Sequence, residues 1–359
     1  LYFYVFVFAK LAKYKPTILD QLPSSGEQVT IIVCAFNEED NLRKNLPLLL
    51  NQQYHKNNKP QFEVLVVNHN SEDGTFYLLN EMQKEYPHLN VVHLTQNAKG
   101  IPGKKFPLSM GIKSAQFEHL LLTDADCSPA SDQWLRLMAS QFNNDKKIVL
   151  GFSPYAKDQS SINKMIRLET AHTAIQYLSF ALTGMPYMGV GRNLAYVRTL
   201  FNKNKGFSSH NHIPSGDDDL FINQVADKHN TAVMIHPDAF TYSDPKKSKE
   251  EWIIQKKRHL STGKYYKAKH KLTLGLYAFS HFNIYLFFIP LLFFKAWIVP
   301  AITLFILRYI MYFITFSSCM RTLQQHDLIS SLFLYDLQYL LYNLKNIPAI
   351  FFKTYTRWK

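Results

Sequence analysis

The chain has 359 residues, enough for one large domain and an appendage, and its 40 Lys and Arg against 27 Asp and Glu leave a net charge of +13. That excess points to an anionic partner, and the apolar, aromatic-rich runs near the C-terminus favour a membrane over nucleic acid. Cys34, Cys127 and Cys319 are odd in number and far apart, which excludes a disulfide framework and a zinc site and reads as free thiols in a reducing compartment.

Leu1 to Ala9 (LYFYVFVFA) is apolar and aromatic, and Lys10, Lys13 and Lys15 follow it. Nine residues fall short of the about 20 a bilayer requires. Residues 1–15 therefore read as the end of a membrane helix whose start lies outside this sequence, the lysines marking its cytoplasmic flank. A buried strand or short helix is the alternative.

Val29 to Phe36 (VTIIVCAF) has the continuous apolar run of a strand buried on both faces. Asn37-Glu38-Glu39-Asp40 follows it, then the helical spacing of Leu42, Leu46, Leu49 and Leu50. Acidic residues there also suit plain helix capping. Phe62 to Val67 predicts a second buried strand, ending at Asn68-His69-Asn70 and a turn. A helix over 75–86 and a strand over 91–94 come next. The loop Asn97 to Lys105 (NAKGIPGKK) is rich in glycine and lysine, and Lys104 or Lys105 is placed to touch a phosphate or merely to be solvated. A helix from about 106 to 114 leads to His119-Leu120-Leu121-Leu122-Thr123-Asp124-Ala125-Asp126.

That stretch organises the rest. A buried strand delivering Asp124 and Asp126 at its C-terminal end places two carboxylates where open α/β sheets bind ligands. Two such carboxylates facing a diphosphate need a cation between them, and hard oxygen donors suit Mg²⁺ or Mn²⁺. No G-x-G-x-x-G follows the first strand and no G-x-x-x-x-G-K-[ST] occurs, which disfavours dinucleotide binding and a P-loop ATPase. Alternating strands and helices predict an α/β domain with a mostly parallel central sheet and helices on both faces.

Farther on, a strand is expected at 148–152, a long apolar helix at 162–182, a turn-rich loop GMPYMGVGR at 184–192 and a strand near 193–196. Ser215-Gly216-Asp217-Asp218-Asp219 opens a helix running to about Lys228, and a short strand follows at 232–235. Residues 246–271 mix many lysines with Trp252, Ile253, Ile254, Tyr265 and Tyr266, around Gln255-Lys256-Lys257-Arg258-His259. Such a segment reads as a basic amphipathic helix on an anionic membrane face. Leu272 to Phe294 holds no Lys, Arg, Asp or Glu over 23 residues, and Ala296 to Phe316 holds only Arg308 over 21. Both pass the length test for a transmembrane helix and form a hairpin about Lys295. A further segment at 328–352, carrying Asp336, reads as interfacial, re-entrant or a third pass. Lys353, Arg357 and Lys359 favour a cytoplasmic tail, so residues 16–271, the α/β domain at 16–245 with the basic segment after it, are expected in the cytoplasm, at a bacterial inner membrane.

Together these pieces resemble glycosyltransferase family 2, with its GT-A fold, and most of all the membrane-associated branch that includes hyaluronan and cellulose synthase catalytic domains. The resemblance covers roughly residues 25–270. Its motifs stand in the family's order: Ala35-Phe36-Asn37-Glu38 for the strand that ends in Asn-Glu, Asp124-Ala125-Asp126 for D-x-D, Gly216-Asp217-Asp218 for the acidic motif, and Gln255-Lys256-Lys257-Arg258 for Q-x-x-R-W. Two departures matter. Asn68-His69 replaces the Asp that usually contacts the base or ribose, and His259 replaces the tryptophan that lies at the acceptor site of polymerising members.

The resemblance implies an inverting, metal-dependent hexosyltransferase. A nucleoside-diphosphate sugar, in particular a UDP-sugar, is the implied donor, and a hydroxyl of a lipid or glycan the acceptor. Membrane lipids are expected as partners and nucleic acid is not. Asp217 is the implied general base, by aligning Leu220 with the Leu of an E-D-x-D-L variant, with Asp218 as fallback. Asp126, with Asp124, would hold Mg²⁺ or Mn²⁺; Asp124 contacts the ribose or sugar in the alternative. Asn37, Glu38, Asn68 and His69 fall where the family contacts the nucleoside, and Gln255, Arg258 and Lys104 or Lys105 where it contacts the diphosphate. The rival readings are a processive polysaccharide synthase and a non-catalytic membrane scaffold on a degenerate GT-A domain.

Overall fold

The computed structural model describes residues 1–17 and 28–352; the basic tail at Lys353, Arg357 and Lys359 lies outside them. A helical segment, π-helical over Phe3–Phe8 and continued by α1 (Ala9–Lys13), opens the chain. There follow β1 (Val29–Ala35), α2 (Glu39–Leu50), the hairpin of β2 (His55–Lys56) and β3 (Lys59–Pro60), β4 (Phe62–His69), α3 (Thr75–Glu85), β5 (Leu89–Leu94), α4 (Lys105–Ser114) and β6 (His119–Asp124). Then come β7 (Cys127–Pro129), α5 (Trp134–Ala139), β8 (Ile148–Leu150), α6 (Ser161–Leu182), β9 (Leu194–Val197), α7 (Arg198–Lys203), α8 (Asp219–Val225), β10 (Thr231–Val233) and β11 (Thr241–Ser243). The last helices are α9 (Lys249–Leu260), α10 (Ala268–Leu291), α11 (Ile298–Thr322) and α12 (Leu332–Phe352).

The main sheet runs β10-β8-β9-β6-β1-β4-β5. β1, β4, β5 and β6 are parallel, as are β8 and β10, and β9 enters antiparallel to both β6 and β8. All seven residues of β1 are buried, as an apolar strand covered on both faces requires. Its alternation divides the core in two. Ile32 and Cys34 join Leu65, Val67, Leu120 and Leu122 under α4 and α6, while Ile31, Val33 and Ala35 join Val64, Val66 and Leu121 under α2, α3 and α5. α4 lies so close to the sheet that a Cβ on Gly111 would stand 2.9 Å from Val67 Cγ2.

The core on the α4 and α6 side continues without a break into the apolar helices. Tyr4, Phe8 and Leu11 pack with Phe180, Tyr277, Tyr312 and Phe316 in that same cluster. α10 and the segment 295–322 are long and apolar enough to cross a membrane, at 24 and 28 residues; α10 starts and ends a few residues before the stretch read from the sequence, and the second begins one residue before and ends several after its own. Their outer surfaces carry exposed Leu276, Phe279, Phe287, Ile289, Val299 and Leu304. α12 turns its charge inward instead. Asp336 is ion-paired with Arg308 and hydrogen-bonded by His281 Nε2 at 3.1 Å and the Tyr285 hydroxyl at 2.5 Å, and Arg308 also donates to the Tyr4 hydroxyl at 2.7 Å. This buried network ties α10, α11, α12 and the N-terminal helix together. Arg167 of α6 grips both oxygens of Asp327 at 2.8 Å, fixing α6 to the turn before α12.

The basic segment is a helix, but its apolar face is covered by protein. On α9, Trp252 is buried with Tyr155 and Ile166 and its ring lies 5.7 Å from that of Tyr342 on α12, while Lys256, one turn on, is ion-paired with Glu169 of α6. Only Ile254 among its large apolar residues is exposed. The helix expected to run to Lys228 stops at Val225, where the Asn230 side chain donates to the Val225 carbonyl and caps the end.

Candidate active site

The C-terminal ends of β4, β1 and β6 lie side by side, with Ala35 opposite Asn68 and Cys34 opposite Asp124. Two strand spacings of about 4.8 Å therefore separate the Asn68 and Asp124 backbones, roughly the span from a nucleobase to its diphosphate. Between them the chain leaves β1 through Asn37, whose φ of 54° puts it in the left-handed region. The turn is pinned from the next crossover: Asn37 Oδ1 accepts from the Glu72 N–H at 2.7 Å, and the Glu38 N–H donates to Thr75 Oγ1 at 3.1 Å. Glu38 is buried and accepts from Asn41 Nδ2. Asn68 is buried, its Nδ2 paired with His93 Nδ1 at 3.1 Å and its Oδ1 without a partner. Burial pushes the neighbouring His69 down from the ordinary imidazole range.

At the β6 end, Asp124, Asp126 and Cys127 bring one ligand atom each within 4.8 Å of one another. Asp126 is open to solvent yet hemmed by protein, as on the floor of a cleft. Burial and Asp124 raise its carboxyl. Asp124 goes the other way: burial would raise it, but the ion pair with Lys104, then Arg192 and Arg258, hold it low. The two carboxylates fit a hard divalent cation, because Asp126, whose Oδ1 accepts only the weak Cys127 thiol at 3.6 Å, has a neighbour of like charge. Cys127 does not complete that set, since burial keeps its thiol well above its usual value and hence protonated.

The acidic stretch at the start of α8 closes on the same place. Burial lowers the Lys104 ammonium, but Asp124, then Cys34 and Asp217, outweigh it and raise it overall, so the cation stands in the field of both acid groups. Three successive aspartates have three surroundings. Asp219 is buried and accepts from Thr262 Oγ1, from the Tyr266 hydroxyl at 2.8 Å and from the Leu220 N–H at 2.7 Å. Asp218 accepts from the Gly191 N–H at 2.8 Å and the Asp219 N–H at 2.7 Å, and its carboxyl is raised to about 7, first by burial, then by Asp217 and Asp219. Asp217 is half-buried and accepts no hydrogen bond among the described residues.

On α9, Gln255 and Arg258 are one turn apart and share a face. Arg258 acts on Asp124 and Asp126's neighbour Arg192 acts on both carboxylates, while Gln255 Oε1 is buried without a partner. His259 is exposed.

One assignment changes and one residue had been passed over. Lys105 is not available to a phosphate: its side chain is fully buried and its three protons go to the carbonyls of His210, Ile213 and Ser215, each at 2.7 Å. Of the pair, only Lys104 is ion-paired with a carboxylate among the described residues. Sequence reasoning also passed over Arg192, whose carbonyl accepts from Thr123 Oγ1 at 3.0 Å and whose guanidinium reaches the Ser153 carbonyl at 3.0 Å and lies 4.4 Å over the Tyr155 ring. The available signal was that Arg192 is the only Lys, Arg, Asp or Glu between Glu169 and Arg198.

Comparison with known proteins agrees with this arrangement. The model described as glycosyl transferase family 2 matches residues 30–207, and that described as glycosyl transferase family group 2 matches residues 119–325, more than half of the chain. A beta-monoglucosyldiacylglycerol synthase of Nostoc sp. is 35% identical over 132 residues, 37% of this chain and 26% of that protein. A poly-beta-1,6-N-acetyl-D-glucosamine synthase of Staphylococcus aureus is 29% identical over 210 residues, 56% of this chain and 46% of that protein. The matched parts thus span between a quarter and a half of these relatives. A mannosyltransferase from Pyrobaculum calidifontis, solved in complex with GDP-Man and Mn²⁺, shares the fold at a TM-score of 0.57 and 18% identity, over 92% of each chain.

Proposed function

The chain belongs to glycosyltransferase family 2, and we propose that it moves a single sugar from a nucleoside-diphosphate sugar to a hydroxyl of a lipid or glycan at the cytoplasmic face of a membrane, inverting the anomeric carbon. The observation that carries this reading is the convergence of the two acid groups on Lys104. Lys104 is ion-paired with Asp124 and feels the charge of Asp217, and Asp126 in turn feels Lys104, which supports one nucleotide sugar meeting both acid groups.

Asp217 is the general base. Its carboxylate accepts no hydrogen bond among the described residues, so its lone pairs are available to take the proton of an attacking hydroxyl. Asp218 and Asp219 are occupied by backbone N–H groups, Thr262 and Tyr266, and they hold the turn that presents Asp217. Lys104, Arg192 and Arg258 supply fixed positive charge where the departing diphosphate gathers negative charge. Asp126, with Asp124, would bind Mg²⁺ or Mn²⁺, which acts as a Lewis acid on the diphosphate oxygens. Asn37, Glu38, Asn68 and His69 line the nucleoside end, and the partnerless Asn68 Oδ1 is suited to accept an N–H of the base, as on uracil.

The acceptor follows from the setting. The apolar outer faces of α10 and α11 support membrane association beside the cleft, and relatives named for a glycosylated diacylglycerol and for a polysaccharide bracket the acceptor class. His259 at the tryptophan position favours one transfer over a growing chain.

The test is a thermal-shift screen of nucleotide sugars with and without Mn²⁺ on protein in detergent, followed by separation of products formed with membrane lipids. A Mn²⁺-dependent shift with one UDP-sugar and a single glycolipid product are expected. A ladder of products points to polymerisation, and the absence of any shift or transfer would sink the reading in favour of a scaffold.

A further inference from the structure

Lys104 and Lys105 are adjacent in sequence and bond to different segments. Lys104 faces Asp124. Lys105, at the first position of α4, turns the other way and is completely enclosed. Lysines are almost never fully buried without a counter-ion. Among the described residues this one has no carboxylate within ion-pair distance, only three carbonyls, from His210, Ile213 and Ser215, each at 2.7 Å.

Those carbonyls belong to the segment between α7 and α8. Apart from a 3₁₀ turn at Ser208–His210 it has no regular structure, so its carbonyls have no ladder to bond to. One ammonium satisfies three of them at once, and α4, seated on β1 and β4, gives that ammonium a rigid base. A second contact lies beside it. Gly103, at φ +79°, approaches so closely that a Cβ there would stand 2.4 Å from the Pro214 carbonyl oxygen. The third carbonyl, of Ser215, is two residues from Asp217.

We infer that Lys105 is a positioning residue: through the carbonyls of residues 210, 213 and 215 it sets where Asp217 stands relative to the Asp124 and Asp126 pair. This rests on the reading of Asp217 as the base. Asp217 accepts no hydrogen bond among the described residues, so the backbone of its loop decides its place. Gly103-Lys104-Lys105 thus forms one bracket, touching the diphosphate end through Lys104 and the base-bearing loop through Lys105. A misplacement of the base by about 1 Å costs on the order of 100-fold in rate.

The charge also makes the bracket sensitive to pH. Burial brings the Lys105 ammonium down to about 8, with Asp217, Asp219 and Asp218 opposing, and His210 is the other titratable group beside it. Loss of its proton leaves two donors for three carbonyls and turns a lone pair toward one of them.

The experiment combines amide hydrogen exchange with kinetics on the full chain in detergent, using UDP-glucose, UDP-N-acetylglucosamine and GDP-mannose with Mn²⁺ as probes and nucleoside diphosphate release as the signal. Lys105→Met should raise exchange over residues 207–217 at least tenfold while β1 and β4 stay protected, lower kcat roughly 30- to 100-fold and leave the donor KM within about threefold. Lys105→Arg, which keeps charge and donors, should recover most of both, and Lys105→Gln should fall between; if the Met variant does not fold, the Gln and Arg pair carries the same comparison. Wild-type kcat should decline above pH 8 and the Arg variant should not. Unchanged exchange over 207–217, or a loosened loop with unchanged kcat, overturns the inference. Should the wild-type protein turn over none of the probes, the proposed function fails on that result, and the exchange measurement still decides whether Lys105 holds the loop.

Discussion

Asp217, Asp218 and Asp219 are consecutive and chemically identical, so replacing each in turn separates catalysis from support. Asp217→Asn removes a charge that accepts no hydrogen bond among the described residues, so the change in stability should stay within about 0.5 kcal/mol, as for an ordinary surface substitution. General-base catalysis contributes about 10²- to 10⁴-fold, so the same change should raise the barrier by roughly 3–5 kcal/mol. Asp219→Ala is the reverse case. It strips the acceptor from Thr262 Oγ1, the Tyr266 hydroxyl and the Leu220 N–H in a buried setting. Hydrogen bonds to a charged group are worth about 1.5–3 kcal/mol each and do not add fully, so a loss on the order of 3 kcal/mol or more in stability is expected. Thr262 and Tyr266 stand just beyond α9, so that variant should also loosen the hold on Gln255 and Arg258. The assay is nucleoside diphosphate release, thermal unfolding in detergent and calorimetry with UDP and Mn²⁺ on all three proteins. Asp217→Asn should bind UDP nearly as the wild type does, unfold at the same temperature and turn over at under a hundredth of the rate. If it keeps more than a tenth of kcat, or loses as much stability as Asp219→Ala, the division of roles is wrong.

Asp126→Ala should abolish the Mn²⁺-dependent part of UDP affinity by calorimetry, and an unchanged affinity with Mn²⁺ would refute its place in the cation site. Lys256→Met leaves Glu169 buried and unpaired, which should cost about 3–5 kcal/mol, whereas Lys256→Met with Glu169→Leu should recover much of that; a double variant no more stable than the single one would show that the pair is not coupled. The carboxyl of Asp218 stands at about 7, raised first by burial, so between the ordinary carboxylate range and pH 7 it keeps a proton that the unfolded chain has lost. Stability should therefore fall as pH rises through that window and level off above it. Without metal or nucleotide, Asp218→Asn should flatten this slope relative to the wild-type protein, and an identical slope would count against the assignment.

Much of the domain can be read from local pattern. β1, β4 and β6 are apolar runs that end at polar turns, and α2 shows its buried Leu42, Leu46, Leu49 and Leu50 at helical spacing. The order of the short motifs carried the family. β7 and β11 escaped, because a three-residue strand gains its identity from a partner more than a hundred residues away. So did the antiparallel entry of β9 between β6 and β8, since strand direction leaves no mark on periodicity. The face of α9 that meets α6 and α12 looked like a membrane-facing one, because apolar spacing is the same whether lipid or protein covers it.

What the amino-acid order fixed unaided is which side chains are available: paired lysines ahead of a helix, two carboxylates ending a buried strand, and three more opening a later helix. What required the folded chain is their division of labour. Lys104 and Lys105 differ only in which way the first turn of α4 sends them, and Arg192 matters only because β9 and β11 fold back beside Asp124. Helix and strand periods are properties of neighbours along the chain, whereas the field felt by a charge depends on distance through space, which closure of the sheet alone sets.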